Sequence, residues 1–395
     1  MPDTAPPPAA PLRPSPVTEE LVCAQPAEDH EIALVLKRTY RIGADGRCLL
    51  ADAQIPIEAG SPNYDPDAPA PSVSPPCWDS DLLAFKPATD VIVQGHAYGY
   101  GQKTMVDAEL RVGRISRVVR VIGERRCEGS DGNLRFGPPQ PFEKMPLRYN
   151  RAYGGCDTIA FARHQNPVLK SLAVREPKWH LDRNTRFHYP RNPAGVGYLI
   201  ERDAESVAQV RLPNLEFPFD PVTPERLAVR DTRAWLAAPL PAGFDWYDPG
   251  WFPRLAFLGL RPDYTLPGQP ITEVARGWVP PDLLARPPRI AEAWDTRFFQ
   301  AASPGLSIAS LDFEAELTLR NLFPDATEAR VCLPGKQPRV VIEITPRQKL
   351  ETQTRLNAVV LQPDLRRLIL IWSARAKVHR PYARPQLDNM RWSVA

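Results

Sequence analysis

The chain has 395 residues, a formal net charge of +3, 43% hydrophobic and 24% charged residues, the balance of a folded soluble polypeptide of two or three domains or one large β domain. It contains no block of about five like-charged basic residues and no basic stripe interleaved with aromatics, which excludes the electrostatic footprint of a nucleic-acid binder. No run of about eighteen apolar residues occurs, so no membrane insertion by a helix is expected.

Proline is the compositional outlier, 47 of the 395 residues, and its locked φ and missing N–H place it in stiff, defined connections instead of long helices. Residues 1–28 hold eight prolines and few large apolar side chains, which predicts a disordered tail. This start lacks the basic and apolar segments of a signal peptide. The six cysteines are scattered without a C-x-x-C, so reduced thiols and a cytoplasmic location are expected.

Residues 29–136 read as an N-terminal β region. Ile32 to Leu36 leads into Lys37-Arg38-Thr39-Tyr40, then Asp45-Gly46 reads as a turn, with Leu49, Ala51, Ala53, Ile55 and Ile57 returning at period two. A long Pro- and Asp-rich loop follows. Val106, Ala108, Leu110 and Val112 alternate with Asp107, Glu109 and Arg111, which predicts a half-buried strand; Gly113-Arg114 turns it into a partner at Ile115 to Ile122.

Residues 137–304 sustain neither period and read as a loop-rich middle with short strands, plus helical segments at Pro224 to Leu236 and Pro281 to Ala285. Strand patterning returns over 305–378, with Leu368 to Trp372 apolar on both faces like a central strand and Pro363-Asp364 as a hairpin turn. Residues 379–395 read as a basic tail. The fold class is therefore mainly β, with β-sandwich-like sheets, long Pro-rich loops and few short helices.

Catalytic fingerprints are missing. Gly195-Val196-Gly197 lacks the third glycine and the preceding strand of a dinucleotide site, and no phosphate-binding loop or G-x-S-x-G elbow occurs. Cys156, His164, His180 and His188 lack the close pairs that let side chains converge on zinc, so histidines serving the fold are the expected reading and no metal or cofactor is expected. The acid pairs Asp79/Asp81 and Asp245/Asp248 suit turn capping better than glycosidase chemistry. Residues 141–155, Pro-Phe-Glu-Lys-Met-Pro-Leu-Arg-Tyr-Asn-Arg-Ala-Tyr-Gly-Gly, mix arginine, tyrosine and glycine as interface hot spots do. The same mixture suits a buried structural loop, and the residues alone leave both readings open.

Several short motifs recur in a fixed order: Lys37-Arg38-Thr39-Tyr40; Ser80-Asp81-Leu82, Lys86-Pro87 and Thr89-Asp90-Val91 before Gly95; Met145-Pro146-Leu147 through Tyr149, Arg151 and Gly154-Gly155; Asn192-Pro193-Ala194-Gly195-Val196-Gly197; Leu212-Pro213-Asn214-Leu215-Glu216; Pro241-Ala242-Gly243-Phe244; and Trp251-Phe252-Pro253-Arg254. In this the chain resembles a bacterial domain-of-unknown-function family whose members act as adaptor chaperones of the type VI secretion system, encoded near effectors and spike proteins. Gly123-Glu124-Arg125-Arg126 departs from the Gly-Asp-Arg-Trp common there. The resemblance implies a non-enzymatic adaptor that binds a secreted effector protein and aids its loading onto VgrG/PAAR spike proteins. The partner-binding candidates are Arg148, Tyr149, Arg151, Tyr153, Asn192, Asn214, Glu216, Trp251 and Arg254. Two other classes compete: a carbohydrate-active enzyme or sugar-binding protein with Trp78, Trp246, Tyr247 and Trp251 as a stacking platform, and a structural component of the secretion apparatus.

Overall fold

The computed structural model describes residues 18–24, 30–67, 74–130, 133–165, 187–200, 203–258, 283, 295–345 and 347–395. Its longer strands are, in chain order, β1 (Glu19–Ala24), β2 (His30–Ile42), β3 (Thr89–Val93), β4 (His96–Lys103), β5 (Met105–Val112), β6 (Ile115–Ile122) and β7 (Phe142–Pro146). After the middle of the chain come β8 (Glu316–Arg320), β9 (Glu328–Cys332), β10 (Arg339–Thr345), β11 (Gln348–Gln362), β12 (Arg367–Val378) and β13 (Arg391–Val394). The protein is mainly β, with several sheets and few short helices.

The largest sheet runs β1-β2-β12-β11-β10-β13, with β3 parallel to the end of β11. A second sheet joins β6, β5, β8 and β9, extended by the two-residue strand Leu215–Glu216 on β6. Strands from the two ends of the chain therefore interleave: β2 pairs with β12, β3 with β11, and β5 with β8.

Burial explains why two stretches lack the alternation of an ordinary surface strand. In β2, Ile32, Leu34 and Leu36 enter the core shared with the second sheet, while Ala33 and Val35 face a separate cluster with Trp78, Phe85 and Trp246. In β12, Leu368, Leu370 and Trp372 take the first side and Ile369 and Ile371 the other. A strand covered on both faces needs apolar residues at every position. Strand β5 has one covered face, so Val106, Ala108, Leu110 and Val112 are buried while Asp107 and Glu109 pair with Arg120 at 2.9 Å and Arg111 at 2.8 Å. Gly113 turns this hairpin at φ +57°, a conformation a side chain would strain.

Three expectations from the sequence need correction. The return strand after Asp45-Gly46 covers only Cys48–Leu50. Beyond it the Gln54 side chain takes over the ladder, accepting from Thr39 N at 2.8 Å and donating to Thr39 O at 3.0 Å, so the period-two residues Ala51 to Ile57 need no strand. Within the stretch 1–28, residues 19–24 form β1, because its backbone finds a full partner in β2 from Glu19 opposite Leu36 to Ala24 opposite Glu31; residues 1–17 and 25–28 lie outside the described residues. The stretch 379–395 is ordered: a short helix, Arg384–Asp388, buries Leu387, and β13 pairs with β10.

These last elements bring the two edges of the large sheet together. Trp392 Nε1 donates to Glu19 Oε2 at 2.7 Å, and Arg384 pairs with Glu20 at 2.6 Å. The segment Pro224 to Leu236 folds as two short helices, Pro224–Leu227 and Thr232–Leu236, the second capped by Asp231. All of Pro281 to Ala285 except Leu283 lies outside the described residues.

Leu370 is 2% exposed in the middle of β12. Leu370→Ala is expected to cost about 2–5 kcal/mol in urea unfolding, with an unchanged denaturant slope.

Candidate functional site

The face of the large sheet turned towards Trp78 carries an unusual load of buried charge. Lys37, 1% exposed on β2, reaches Asp81 Oδ2 at 2.7 Å and lies 4.2 Å from the Trp78 ring centroid. Asp81 also accepts from Trp78 Nε1 at 2.8 Å and Glu58 N at 2.7 Å. Lys86 pairs with Asp90 at 2.8 Å, and Asp90 accepts further from Ala301 N, Gln300 Nε2 and Ser307 Oγ. Arg254 reaches Asp79 at 3.3 Å and donates to the carbonyls of Tyr247 and Phe298. Three cations thus meet three carboxylates around the tilted Trp78–Trp246 pair, whose centroids are 5.4 Å apart. Burial pushes the Lys37 amine down and the Asp81 carboxyl up, and the contact between them opposes both shifts.

A cleft of about 310 Å³ opens beside this layer. On one wall the Arg148 guanidinium stacks 3.8 Å from the centroid of Tyr64, whose hydroxyl donates to Asp245 Oδ2 at 2.8 Å. Asp245 Oδ1 accepts from Gln94 Nε2 at 3.0 Å and from Trp246 N at 2.8 Å. On the other wall His96 Nδ1 lies 2.6 Å from Asp364 Oδ2, and Tyr98 donates to Asp364 Oδ1 at 2.9 Å. Gln362 bridges the walls by donating to Gln94 Oε1 at 3.1 Å.

The electrostatics separate the two acids. Burial drives the Asp245 carboxyl up to about 7 against the hydrogen bonds from Trp246, Tyr64 and Gln94 and the charge of Arg148. Burial also raises Asp364, but the bonds from His96 and Tyr98 outweigh it and leave that carboxyl below its ordinary value. The Cys77 thiol is pushed up by burial and by Asp245, so it is no activated nucleophile.

The nine partner-binding candidates divide sharply. Tyr149, Tyr153, Asn192, Asn214, Glu216, Trp251 and Arg254 are in the interior, which corrects the expectation that they meet a partner at the surface. Tyr149, Tyr247 and Trp251 pack edge to face at 5.2 to 5.6 Å. Asn192 donates to the carbonyls of Tyr149 and Tyr153, and a Cβ on Gly154 would stand 2.1 Å from Asn192 O, so this loop closes only around glycine. Asn214 donates to Ile122 O, and Glu216 accepts from Val222 N. These groups satisfy backbone atoms of irregular segments, the bland reading of the 141–155 motif. Arg151 is half-buried against Glu124 and Asn214, and Arg148 lines the cleft.

The sugar-stacking platform is also corrected. Trp246, Tyr247 and Trp251 are 3% exposed or less and Trp78, 9% exposed, is the one of the four that lines the cleft, while Asp79, Asp81 and Asp245 are engaged in hydrogen bonds. Cys156 and His188 are bridge partners, and His188 packs on Phe161; His180 and the side chain of His164 lie outside the described residues. Among the described residues, no three His, Cys, Asp or Glu side chains converge as a metal site, and no helix is long and apolar enough to cross a membrane. Tyr64, Gln94, His96 and Gln362 escaped the sequence reading, because each is an isolated polar residue whose partner lies far along the chain, 268 positions for His96 and Asp364.

These features define a mainly β protein with a buried ionic layer and an open polar cleft beside it. Residues 27–373 match the family described as an uncharacterized protein conserved in bacteria (DUF2169), and the chain belongs to that family. No curated protein and no solved structure matches it.

Lys37→Met strands the Asp81 carboxylate in the interior and is expected to cost about 3–5 kcal/mol, most of it recovered in Lys37→Met/Asp81→Leu; chemical denaturation of both variants checks this. The raised Asp245 means that the unfolded chain releases this proton first as pH rises. Its contribution therefore falls between about pH 4 and pH 7 and is constant above that. Urea unfolding from pH 5 to 8 should show Asp245→Asn gaining on the wild type up to about pH 7, by on the order of a few kcal/mol, with no further gain beyond.

Proposed function

We propose that this chain is an adaptor chaperone that binds a secreted effector protein in the bacterial cytoplasm and aids its loading onto the VgrG/PAAR spike of a type VI secretion system. The ordered motifs and the resemblance they carry support it. One geometric observation carries the binding side of the reading. Arg148 presents a stacked guanidinium, with no hydrogen bond or ion pair to a described residue, to an open cleft. A preorganised arginine of this kind is a recognition group.

Trp392 and Arg384 on the β13 side of the large sheet bond Glu19 and Glu20 of β1, so the surface offered to a partner is the Arg148 cleft and not the sheet edge. Tyr149, Tyr153 and Trp251 are not part of this surface, since they sit inside, whereas Tyr64 lines the cleft. The sugar-directed reading is weakened on the same ground, because three of its four rings, Trp246, Tyr247 and Trp251, are buried.

Deletion of the gene tests the reading in the native host. The cognate effector is expected to lose solubility or to be absent from purified spike complexes, and to return when the gene is restored. An effector that stays abundant, soluble and spike-bound without this protein removes the adaptor role. A constant ratio to the assembled apparatus would favour a structural component instead.

A further inference from the structure

We propose that the Arg148 cleft binds a single carboxylate carried by a polypeptide. Arg148 is held for this purpose from both sides along the chain. Leu147 N donates to Gly95 O at 3.0 Å, and the Tyr149 side chain next in sequence is fully buried, so the backbone between them has little freedom. The guanidinium carbon lies over the Tyr64 ring, 3.8 Å from its centroid, and the Tyr64 hydroxyl is itself tied to Asp245. A guanidinium stacked by its face keeps its N–H groups at its edge, the arrangement that meets the two oxygens of a carboxylate side by side.

The neighbouring groups select the ligand's charge. Asp245 makes no hydrogen bond or ion pair with Arg148, and its oxygens accept instead from Gln94, Trp246 and Tyr64. Asp364 is likewise held by His96 and Tyr98. Both carboxyl groups lie near the cleft, so a doubly charged phosphate meets more repulsion there than a singly charged carboxylate does. At about 310 Å³ the cleft is at the small end for organic ligands, room for one acidic side chain or chain terminus. Leu365, 60% exposed at the rim, gives flanking peptide an apolar contact that a free small acid cannot use. The inference rests on the adaptor reading only in taking a polypeptide as the bearer.

The test is calorimetric titration of the full-length protein with a short N-acetylated alanine-rich peptide in three forms: free C-terminal carboxylate, amidated with one internal glutamate, and amidated without any acid. Sodium acetate is the fourth ligand. At least one acid-bearing peptide is expected to bind more tightly than the neutral amide and acetate, and the stronger of the two identifies terminus or side chain. Arg148→Gln is expected to weaken the acid-bearing peptides about tenfold or more. Leu365→Asp, at an exposed position outside the core, should weaken the same peptides and so guards against a folding defect in the arginine variant. The carboxylate site is overturned if the neutral amide binds equally well, if Arg148→Gln changes nothing, or if no peptide binds. Acetate binding as tightly as the peptides overturns a polypeptide as the bearer. Effector delivery in the deletion strain is a separate readout, so the adaptor role and the carboxylate site can fail independently.

Discussion

A sheet covered on both faces is the constraint on which the rest of the molecule depends. One face of the large sheet meets the second sheet through aliphatic side chains, as in any packed pair of sheets. The other is covered by irregular segments, and irregular backbone must find partners for its N–H and C=O groups. Carboxylates meet that need: Asp90 takes the amide of Ala301, and Asp81 takes that of Glu58. Each buried acid then requires a cation, which Lys37 and Lys86 supply. The ionic layer is thus the counterpart of covering a sheet with loops instead of helices.

Much of the architecture was legible because hydrophobic period reports how many faces of a strand are covered. The β5–β6 hairpin and the doubly buried β12 could be read in this way from their own residues. The failures have a common physical origin. Strand β1 looked unable to order itself because its stabilisation comes from β2 and from Trp392, far away in sequence. The run after Leu50 looked like a strand because a side-chain amide that replaces a backbone partner leaves no periodic trace.

The candidate site divides along the same line. Lys37, Asp81, Lys86, Asp90 and Arg254 all belong to the motifs that carried the family resemblance, and they assemble one internal layer. The motifs were visible, but residue type alone could not tell an interior role from an exposed one. Tyrosine, tryptophan and arginine are favoured both at binding surfaces and in the buried packing of irregular loops. Arg148 alone among the candidates lines the cleft without a side-chain hydrogen bond or ion pair to a described residue, a distinction that residue type does not carry.

The pairing of β2 with β12 also sets an order of events during synthesis. The hydrophobic run Ile32 to Leu36 is made early, whereas the strand that lies against it ends at Val378, near the carboxyl end of the chain. Until β12 has been made, the centre of the largest sheet has an open flank, although Lys37 and Lys86 already have Asp81 and Asp90 within the early part of the chain. A sheet laid out in this way carries a high contact order, so its centre closes only after the whole middle of the chain has been made.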